Sequence, residues 1–510
     1  MSQVTSPPSD EDVLARDADW RRLDLRMLLV HPVNEVVRFL PALVAVFFVG
    51  SHSGGDVWWH LVAVVVPVAL GLLRFFTTRF RITPVEIELS RGLVSRNVLT
   101  ARLDRVRTVE LTSSPIHRFL GLAKVQVGTG SAKKGGDAKF ALDSLALTEA
   151  RSLRQALLHR AAAADAGDAT PVEPVASGDE RLLSFDPSWI RFAPLTTGGL
   201  LIVIGALAAG NQLVGPAVER LSDHVDLGEP RHLGLTIAAA LVAFVVVISV
   251  LSIIGYVLTN WGFLLTRDRA GRSLHIRKGL LTTRETSLET QRVRGIEVHE
   301  PIGLRLAGGA RLAAIVTGLS KKEAGSTALV PAAPVQVVTR TAVQLLHEDE
   351  PLTIALRRHG ERAVRRRFSR ALGVGAVIAS AWIVTVLVAA WATLWCVLGA
   401  VPVLVAIPLA ADRARRLGHG LTERFLVVRA HCFHGRRVVL ERDGIIGWNL
   451  TQTWFQRRAG LVTMTATTAA GKQGYSVMDV PETQAIALAD AATPGLLTAF
   501  LTAQPQTSRR

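Results

Sequence analysis

The longest uncharged window of the sequence places the strongest constraint on what the chain can fold into. Ala371 to Ala411 is a run of 41 residues without Asp, Glu, Lys or Arg. A helix needs about 20 apolar residues to cross a hydrocarbon layer of about 30 Å. Because the run is twice that length, it predicts a transmembrane hairpin that turns near Trp391 to Trp395.

Two further pairs of uncharged apolar windows occur along the chain. Phe39 to Gly50 is followed by Val57 to Leu73, and Phe192 to Gly210 is followed by Leu233 to Leu258. The composition agrees with membrane spans, since 49% of the residues are hydrophobic and only 20% are charged. The alternative is that some windows are buried helices of a large soluble protein, in which such long uncharged runs are rare. We therefore expect six spans in three hairpins.

The basic residues predict the orientation of these hairpins. The chain carries 58 Lys and Arg against 42 Asp and Glu, a formal net charge of +16. The loops inside the pairs contain only Arg220 and Arg231, and the other basic residues flank the spans or lie in long polar segments. Cytoplasmic segments carry the excess of Lys and Arg. We expect a multi-pass plasma-membrane protein with cytoplasmic N- and C-termini, whose acidic N-terminus is not a cleaved signal peptide.

The polar segments that follow the hairpins share one pattern. Its three copies are RVRTVEL at 105–111 with RFLG at 118–121, RVRGIEV at 292–298 with RLAG at 305–308, and GIIGWNL at 444–450 with RRAG at 457–460. From the Val or Ile at the second position, the Arg follows after 12 residues and the Gly after 15 in every copy. Self-similarity at fixed spacing indicates duplication, and we name the copies repeats 1, 2 and 3.

Each repeat is predicted to be a small antiparallel sheet closed by one helix. Alternating apolar residues indicate strands at 82–89, 124–127, 311–316 and 461–465. Turns are expected at Arg91-Gly92, Lys278-Gly279 and His434-Gly435. Helical patterns close the repeats at 148–159, 334–347 and 481–500.

A transmembrane hairpin followed by this pattern resembles the bacterial pleckstrin-homology-like (PH-like) family, found in YdbS/YdbT-like membrane proteins. The matching residues are Arg91-Gly92, Val106, Arg118 and Gly121, then Lys278-Gly279, Val293, Arg305 and Gly308, then Gly435, Ile445, Arg457 and Gly460. Repeat 3 departs most, because the distance from its turn to Ile445 is four residues shorter than in the others. The resemblance covers nearly the whole chain and implies a curved antiparallel barrel or sandwich with a C-terminal helix in each repeat. It implies no established catalytic residue and no cofactor.

The predicted fold class is a multi-pass α-helical membrane protein with three PH-like domains. The expected segments are a cytoplasmic N-terminal segment (1–35), hairpin 1 (36–75), PH-like domain 1 (76–160), a linker (161–190), hairpin 2 (191–258), PH-like domain 2 (259–350), a basic juxtamembrane segment (351–370), hairpin 3 (371–411) and PH-like domain 3 (412–503).

Two groups of arginines are candidates for binding a lipid phosphate or a partner's carboxylate. The first group is the repeated Arg118, Arg305 and Arg457, whose planar guanidinium groups suit such anions. The alternative is that these arginines cap carbonyls or pack on the sheet, beside glycines that serve the backbone: Gly92, Gly121, Gly279, Gly308, Gly435 and Gly460. The second group lies before hairpin 3 and comprises Arg357, Arg358, Arg362, Arg365, Arg366, Arg367 and Arg370. A cluster at this place attracts anionic headgroups by about 1 kcal/mol per residue and is also a topology signal.

Other motifs carry less chemistry. The glycine-rich segment 128–136 lacks the Gly-Lys-Ser/Thr order of a phosphate loop and is expected to be a hairpin tip. His431, Cys432 and His434 lack a further set of metal ligands, and the local sequence shows no Ser, His and Asp arrangement. The basic residues lack the interleaved aromatics of a nucleic-acid surface. We expect no enzyme, no metal, no cofactor and no nucleic acid.

Two classes of function remain open. The first is a membrane-anchored scaffold in the cell envelope whose partners are anionic membrane lipids and a membrane or cytoplasmic protein, including a second copy of the chain. The second is a transporter, or a transporter subunit, built from repeated hairpins. Ionisable residues inside spans usually mark transport paths. Within the windows, His60 is the only Asp, Glu, Lys, Arg or His. This favours the scaffold.

Overall fold

The computed structural model describes residues 20–22, 26, 69, 76–83, 86–91, 97–102, 108–128, 140–154, 179–196, 230–317, 328–389, 393–430 and 434–496. These residues form two compact units. Among them, unit 1 comprises the residues up to Phe185 together with Leu258–Thr290. Unit 2 comprises Asp186–Val257, Gln291–Thr317 and the described residues from 328 onward.

Unit 1 contains two antiparallel sheets. The first has the strand order β1-β2-β3-β4, and the second has the order β7-β6-β5-β11-β10-β9-β8. The strands are β1 Arg21–Arg22, β2 Arg79–Ile82, β3 Glu86–Arg91, β4 Asn97–Arg102, β5 Thr108–Ser113, β6 Leu122–Gly128, β7 Phe140–Ala146, β8 Glu180–Ser184, β9 Leu264–Arg267, β10 Ser273–Lys278 and β11 Thr283–Glu289. Apolar side chains of β2 to β7 form one core, as the period-two alternation in repeat 1 predicts.

Unit 2 also contains two antiparallel sheets, with the orders β14-β13-β12-β17-β16-β15 and β18-β19-β20. The strands are β12 Val293–Pro301, β13 Gly309–Val316, β14 Ala328–Pro334, β15 Gly418–Leu421, β16 Phe425–Ala430, β17 His434–Glu441, β18 Ile445–Thr451, β19 Leu461–Thr468 and β20 Gly474–Pro481. The core of repeat 3 joins β16 to β20 with the helix Glu482–Ala492.

Short helices separate strands and longer helices flank the sheets. The α-helices are α1 Pro115–Phe119, α2 Pro230–Asn260, α3 Ile302–Leu306, α4 Val335–Leu346, α5 Glu350–Thr353, α6 Glu361–Val388, α7 Ala400–Arg415, α8 Trp454–Ala459 and α9 Glu482–Ala492, and residues 147–154 are also helical. The 3₁₀ helices are Pro187–Leu195, Thr290–Arg292, Thr393–Gly399 and Arg442–Gly444. Strands outnumber helices in these ranges, so this part of the chain is not mainly helical, whereas the expected antiparallel sheets and closing helices are present.

The repeats share sheets, which the sequence did not predict. β5 of repeat 1 pairs with β11 of repeat 2, and β12 of repeat 2 pairs with β17 of repeat 3. We name these pairs the first and second junctions. Alternation specifies which face of a strand is buried but not which strand occupies its edge, so the pairing between repeats left no signal in the local pattern.

The segment before each hairpin belongs to the repeat that follows it. β1 pairs with β2, β8 pairs with β9, and Arg357 forms a bridge with His419 at β15. The C-terminal end of the predicted linker 161–190 is therefore the strand β8 and the start of a 3₁₀ helix rather than a tether.

Among the described residues, three helices are long and apolar enough to cross a membrane: Val242–Asn260, Glu361–Val388 and Trp395–Arg415. They indicate membrane association. In hairpin 3, α6 and α7 pack through small residues, and a Cβ added at Gly375 would lie 3.1 Å from the Pro402 carbonyl oxygen. Small residues permit this close approach of helices within a bilayer.

The other predicted spans are covered only in part. Apart from position 69, hairpin 1 lies outside the described residues, as do residues 197–229 of hairpin 2. The expected start of hairpin 2 at Phe192 is different in the structure. Phe192 is fully buried in the 3₁₀ helix Pro187–Leu195, where its ring packs against Gly309 of β13.

Candidate functional site

A basic cavity of about 610 Å³ lies at the polar end of hairpin 3. Its walls come from the segment that enters α6 and from the last turn of α7. The lining residues are Arg358, His359, Gly360, Glu361, Ala363, Val364, Arg365, Phe368, Ala411, Ala414, Arg415 and Leu417. The backbone of Gly360 takes a positive φ of 84°, which a glycine adopts readily, and this allows α6 to begin directly after it.

The charge in this cavity is mostly positive. Arg358 and Arg365 are exposed and belong to the predicted juxtamembrane cluster, whereas Arg415 comes from the other helix of the hairpin. Glu361 is the acidic residue of the lining, and it lies 3.8 Å from Arg365 with both side chains almost fully exposed. An exposed pair of this kind contributes little, so the three guanidinium groups are available to an anion.

Two arginines of the cluster point away from the cavity and into the protein. The carboxylate of Asp479, on β20, is 1% exposed and accepts hydrogen bonds from Arg366 and from Gln456. Arg367 lies 2.7 Å from its other oxygen. A buried carboxylate needs such partners, and the network attaches α6 to the sheet of repeat 3.

Next to this network, His359 and His419 form a buried pair, 2% and 4% exposed. His359 Nδ1 lies 2.8 Å from the carbonyl oxygen of Met478, which can only accept, so this nitrogen carries the proton. His359 Nε2 then accepts from His419 Nδ1 at 3.0 Å. Burial lowers the pKa of both rings, and the neighbouring positive charges help to lower that of His419 to about 4.

The remaining arginines of the cluster are exposed. Arg357 contributes its backbone to the bridge with His419, and an added Cβ at Gly460 would lie 3.2 Å from Arg362. Arg358, Arg362, Arg365 and Arg370 thus lie on the outer face of the segment. The cluster therefore has an exposed set, suited to solvent or headgroups, and an internal pair that holds Asp479.

Two of the three repeated arginines contact the next repeat along the chain. Arg118 donates to the carbonyl oxygen of Leu280 at 3.0 Å, across the first junction. Arg305 lies 3.2 Å from Asp412, at the end of α7. Arg457 is exposed, and its side chain has no hydrogen bond or ion pair with another described residue. Arg118 and Arg305 thus make contacts inside the protein.

A second cavity of about 510 Å³ surrounds the pair formed by Arg305 and Asp412. The rest of its wall is apolar and consists of Ile302, Val401, Leu404, Val405, Pro408 and Leu409. Arg305 is engaged by Asp412, which also pairs with Arg416 at 3.1 Å, so this cavity is less suited to an anion than the basic cavity.

The glycines of the repeated motif have a defined structural role. Gly121, Gly308 and Gly460 end α1, α3 and α8 with φ near +70°, a left-handed conformation that favours glycine. Gly279 follows β10 with φ of 110°, and Gly92 lies outside the described residues.

Gly435 does not lie in a turn, contrary to expectation. It lies within β17, opposite Glu300. The two junctions have the same register, which makes Thr283 of repeat 2 the equivalent of Gly435 and position 431 the equivalent of Gly279. The spacing of repeat 3 is therefore regular, and the four-residue difference arises because Gly435 is not the equivalent of Gly279.

Sequence reasoning missed Asp479, the His359 and His419 pair, and Arg415. The sequence contained a signal for Asp479, because this residue lies on the same face of β20 as Tyr475 and Val477, whose side chains are buried. A charged residue at a core position indicates a special role. The sequence contained no such signal for Arg415, because this residue reaches the cavity only when α7 packs beside α6.

Comparison with known proteins agrees with the repeats. The chain matches the bacterial PH domain three times, over residues 36–161, 202–349 and 369–492. No curated protein and no solved structure matches the chain. The three matches cover most of the sequence and confirm the resemblance inferred from the repeated motif. The chain therefore belongs to the bacterial PH domain family.

Proposed function

We propose that the protein is a non-enzymatic, multi-pass scaffold of the plasma membrane, with three cytoplasmic PH-like repeats and both termini in the cytoplasm. In this proposal the basic cavity binds the headgroup of an anionic lipid. The observation that carries it is the convergence of Arg358, Arg365 and Arg415 at the polar end of hairpin 3.

The position of the cavity supports a lipid as the ligand. The two candidate spans of hairpin 3 begin at Glu361 and end at Arg415, and residues from both of these ends line the cavity. In a membrane, these ends lie at the level of the headgroups. A guanidinium group binds phosphate through two parallel hydrogen bonds, and each basic residue near an anionic surface contributes about 1 kcal/mol.

The internal network supports a preformed site. Asp479 holds Arg366 and Arg367, which adjoin Arg365 on α6, so the first turns of the helix are fixed to repeat 3. Arg358 follows Arg357, whose backbone is hydrogen-bonded to His419. Groups fixed in advance lose less conformational freedom on binding.

The test is lipid retention by the full-length protein, measured by native mass spectrometry in detergent with added phosphatidylglycerol or phosphatidylcholine. Three contributions of about 1 kcal/mol predict a preference for phosphatidylglycerol that falls by about 100-fold in the triple variant Arg358→Gln, Arg365→Gln, Arg415→Gln. Added glycerol phosphate distinguishes a headgroup alone from a whole lipid.

The matched control removes three exposed arginines elsewhere, through Arg269→Gln, Arg272→Gln and Arg340→Gln. It changes the net charge equally and should retain the preference. Equal losses in the two triple variants would mean that only net charge matters, and no loss in either would refute a headgroup site.

A further inference from the structure

Each of the four described sheets has an edge strand at either end, and two of these edge strands, β4 and β18, are equivalents of strands that pair between repeats. β4, at the end of the first sheet, pairs only with β3, and β18 pairs only with β19. In the repeat, β18 is the equivalent of β5 and β12, and β4 is the equivalent of β11 and β17. β4 and β18 are therefore the two kinds of strand that each junction joins, and we call them the free edges.

We propose that β18 of one chain pairs with β4 of a second copy, so that chains assemble head to tail through a third junction. The interaction is heterologous, because different surfaces of the two copies meet. Repetition of such a contact gives a ring or an open chain. The membrane confines all copies to one plane, which raises their effective concentration.

The register of the two junctions predicts the register of the third. Leu111 lies opposite Glu285, and Val298 lies opposite Arg437. The equivalent pair at the free edges is Leu450 with Val98. In this register, residues 446–451 of β18 lie opposite residues 97–102, which is the full length of β4.

The exposure of these positions supports the pairing. Leu111 and Val298, at the internal junctions, are 2% and 6% exposed, whereas Leu450 at the same repeat position is 48% exposed. Val98 is 53% exposed. Pairing would bring these two apolar side chains together, because the Cβ atoms of directly opposed residues lie about 4.5–5.5 Å apart.

The closing helices show complementary changes. At the first junction, Glu285 lies 3.1 Å from Arg154 and 3.9 Å from Arg151, on the closing helix of repeat 1. The equivalent positions on α9 are Ala489 and Ile486, and Ile486 is 40% exposed. At the first junction, arginines of the closing helix thus face a carboxylate. At the free edges, the equivalent residues of α9 are apolar and would face Val98.

Two further features favour an interface. Natural edge strands usually carry charges or proline that prevent pairing, whereas β18 reads IIGWNLT without either. Arg118 and Arg305 each contact the repeat that follows, and the side chain of Arg457 has no such contact among the described residues. Repeat 3 thus retains the surface of a repeat that is followed by another.

The test is disulfide formation between two differently tagged full-length chains, in which Cys396 and Cys432 are replaced by Ser. One chain carries Leu450→Cys and the other Val98→Cys, and they are mixed, reconstituted in vesicles and oxidised. A product with both tags requires contact between chains, because each chain has one cysteine. We expect at least a tenfold higher yield than with Asn449→Cys, which lies on the opposite face of β18.

Equal yields from Leu450→Cys and Asn449→Cys would overturn the proposal. A chain with both Leu450→Cys and Val98→Cys, diluted with cysteine-free chains, tests closure within one molecule, and an internal disulfide as the main product would also overturn it. Leu450→Lys should abolish the assemblies of several chains that the parent protein forms on native gels. Adding Val98→Glu to the same chain should restore these assemblies, because the lysine of one copy then faces the glutamate of the next. Failure of this rescue, with both variants inserted in the membrane, counts against the register.

Discussion

Glu297 is the residue whose removal most directly tests the second junction. It lies on β12, its side chain is 8% exposed, and its carboxylate is 2.8 Å from Arg436 on β17 and 3.3 Å from Lys472. Burial alone raises the pKa of Glu297, but the hydrogen bond from His299 and the charges of Arg436, His299 and Lys472 outweigh it and lower the pKa from 4.5 to about 2.

The shift has a magnitude and a sign. Each pKa unit corresponds to 1.36 kcal/mol, so the ionised carboxylate contributes about 3 kcal/mol to the stability of the junction. Because the folded-state pKa is the lower one, this contribution is complete above pH 4.5. It is lost as the pH falls from 4.5 to about 2.

The variant Glu297→Gln should therefore raise the rate of amide hydrogen exchange in β17 by about 100-fold at pH 7. The difference between variant and parent should shrink as the pH falls below 4.5. The matched control is Glu110→Gln at the same repeat position, since Glu110 lies 3.9 Å from an Arg284 side chain that is 59% exposed. Such a pair contributes about 0.2–1 kcal/mol. Equal effects of the two substitutions, or a difference that does not depend on pH, would refute the assignment.

Three further outcomes follow from particular contacts. Asp479→Asn keeps a side chain that tolerates the left-handed backbone (φ of 55°) but leaves Arg366 and Arg367 without their carboxylate. It should lower the free energy of unfolding by about 3–5 kcal/mol, which is measured as a lower midpoint of thermal unfolding in detergent. Gly295→Ala would place a Cβ 2.1 Å from a carbonyl oxygen of β17, so it should open the second junction to hydrogen exchange, whereas Gly447→Ala, 3.4 Å from its nearest neighbour, should not. The pKa of His419 is lowered to about 4 by burial and by the charges of His359 and Arg357, so acidification from pH 6.5 to 4 should destabilise repeat 3, and His419→Gln should flatten the unfolding midpoint over this interval.

The sequence predicts the parts of each repeat well, because these depend on local chemistry. The spacing from Val293 to Gly308 encodes a strand, a short helix and a left-handed glycine, and all three are present. Alternation in β6 and β19 agrees with their buried faces. The closing helix of repeat 2 was expected at 334–347 and is found at Val335–Leu346.

What could not be predicted depends on contacts between distant segments. Arg366 and Arg367 are adjacent to Arg365 in sequence, and composition alone treats the three alike. Their roles differ because the helix turns two of them toward Asp479, more than 100 residues away in the chain. The basic cavity likewise needs Arg415, which the hairpin brings to Arg358.

Repeat 3 differs from the other two at the positions that face the next repeat. Glu110 and Glu297 face basic residues across their junctions, and Asn449 occupies the same position in repeat 3. Arg294 lies 3.1 Å from Glu441 across the second junction, and its equivalent is Ile446, which is 65% exposed. Repeat 3 thus has uncharged residues at positions where repeats 1 and 2 have ionic partners, while it keeps Arg457 and Gly460 of the fold motif. A strand edge that had lost its function would be expected to gain charge. β18 carries no charge, and in the proposed junction the common register places its Leu450 opposite the apolar Val98 of β4.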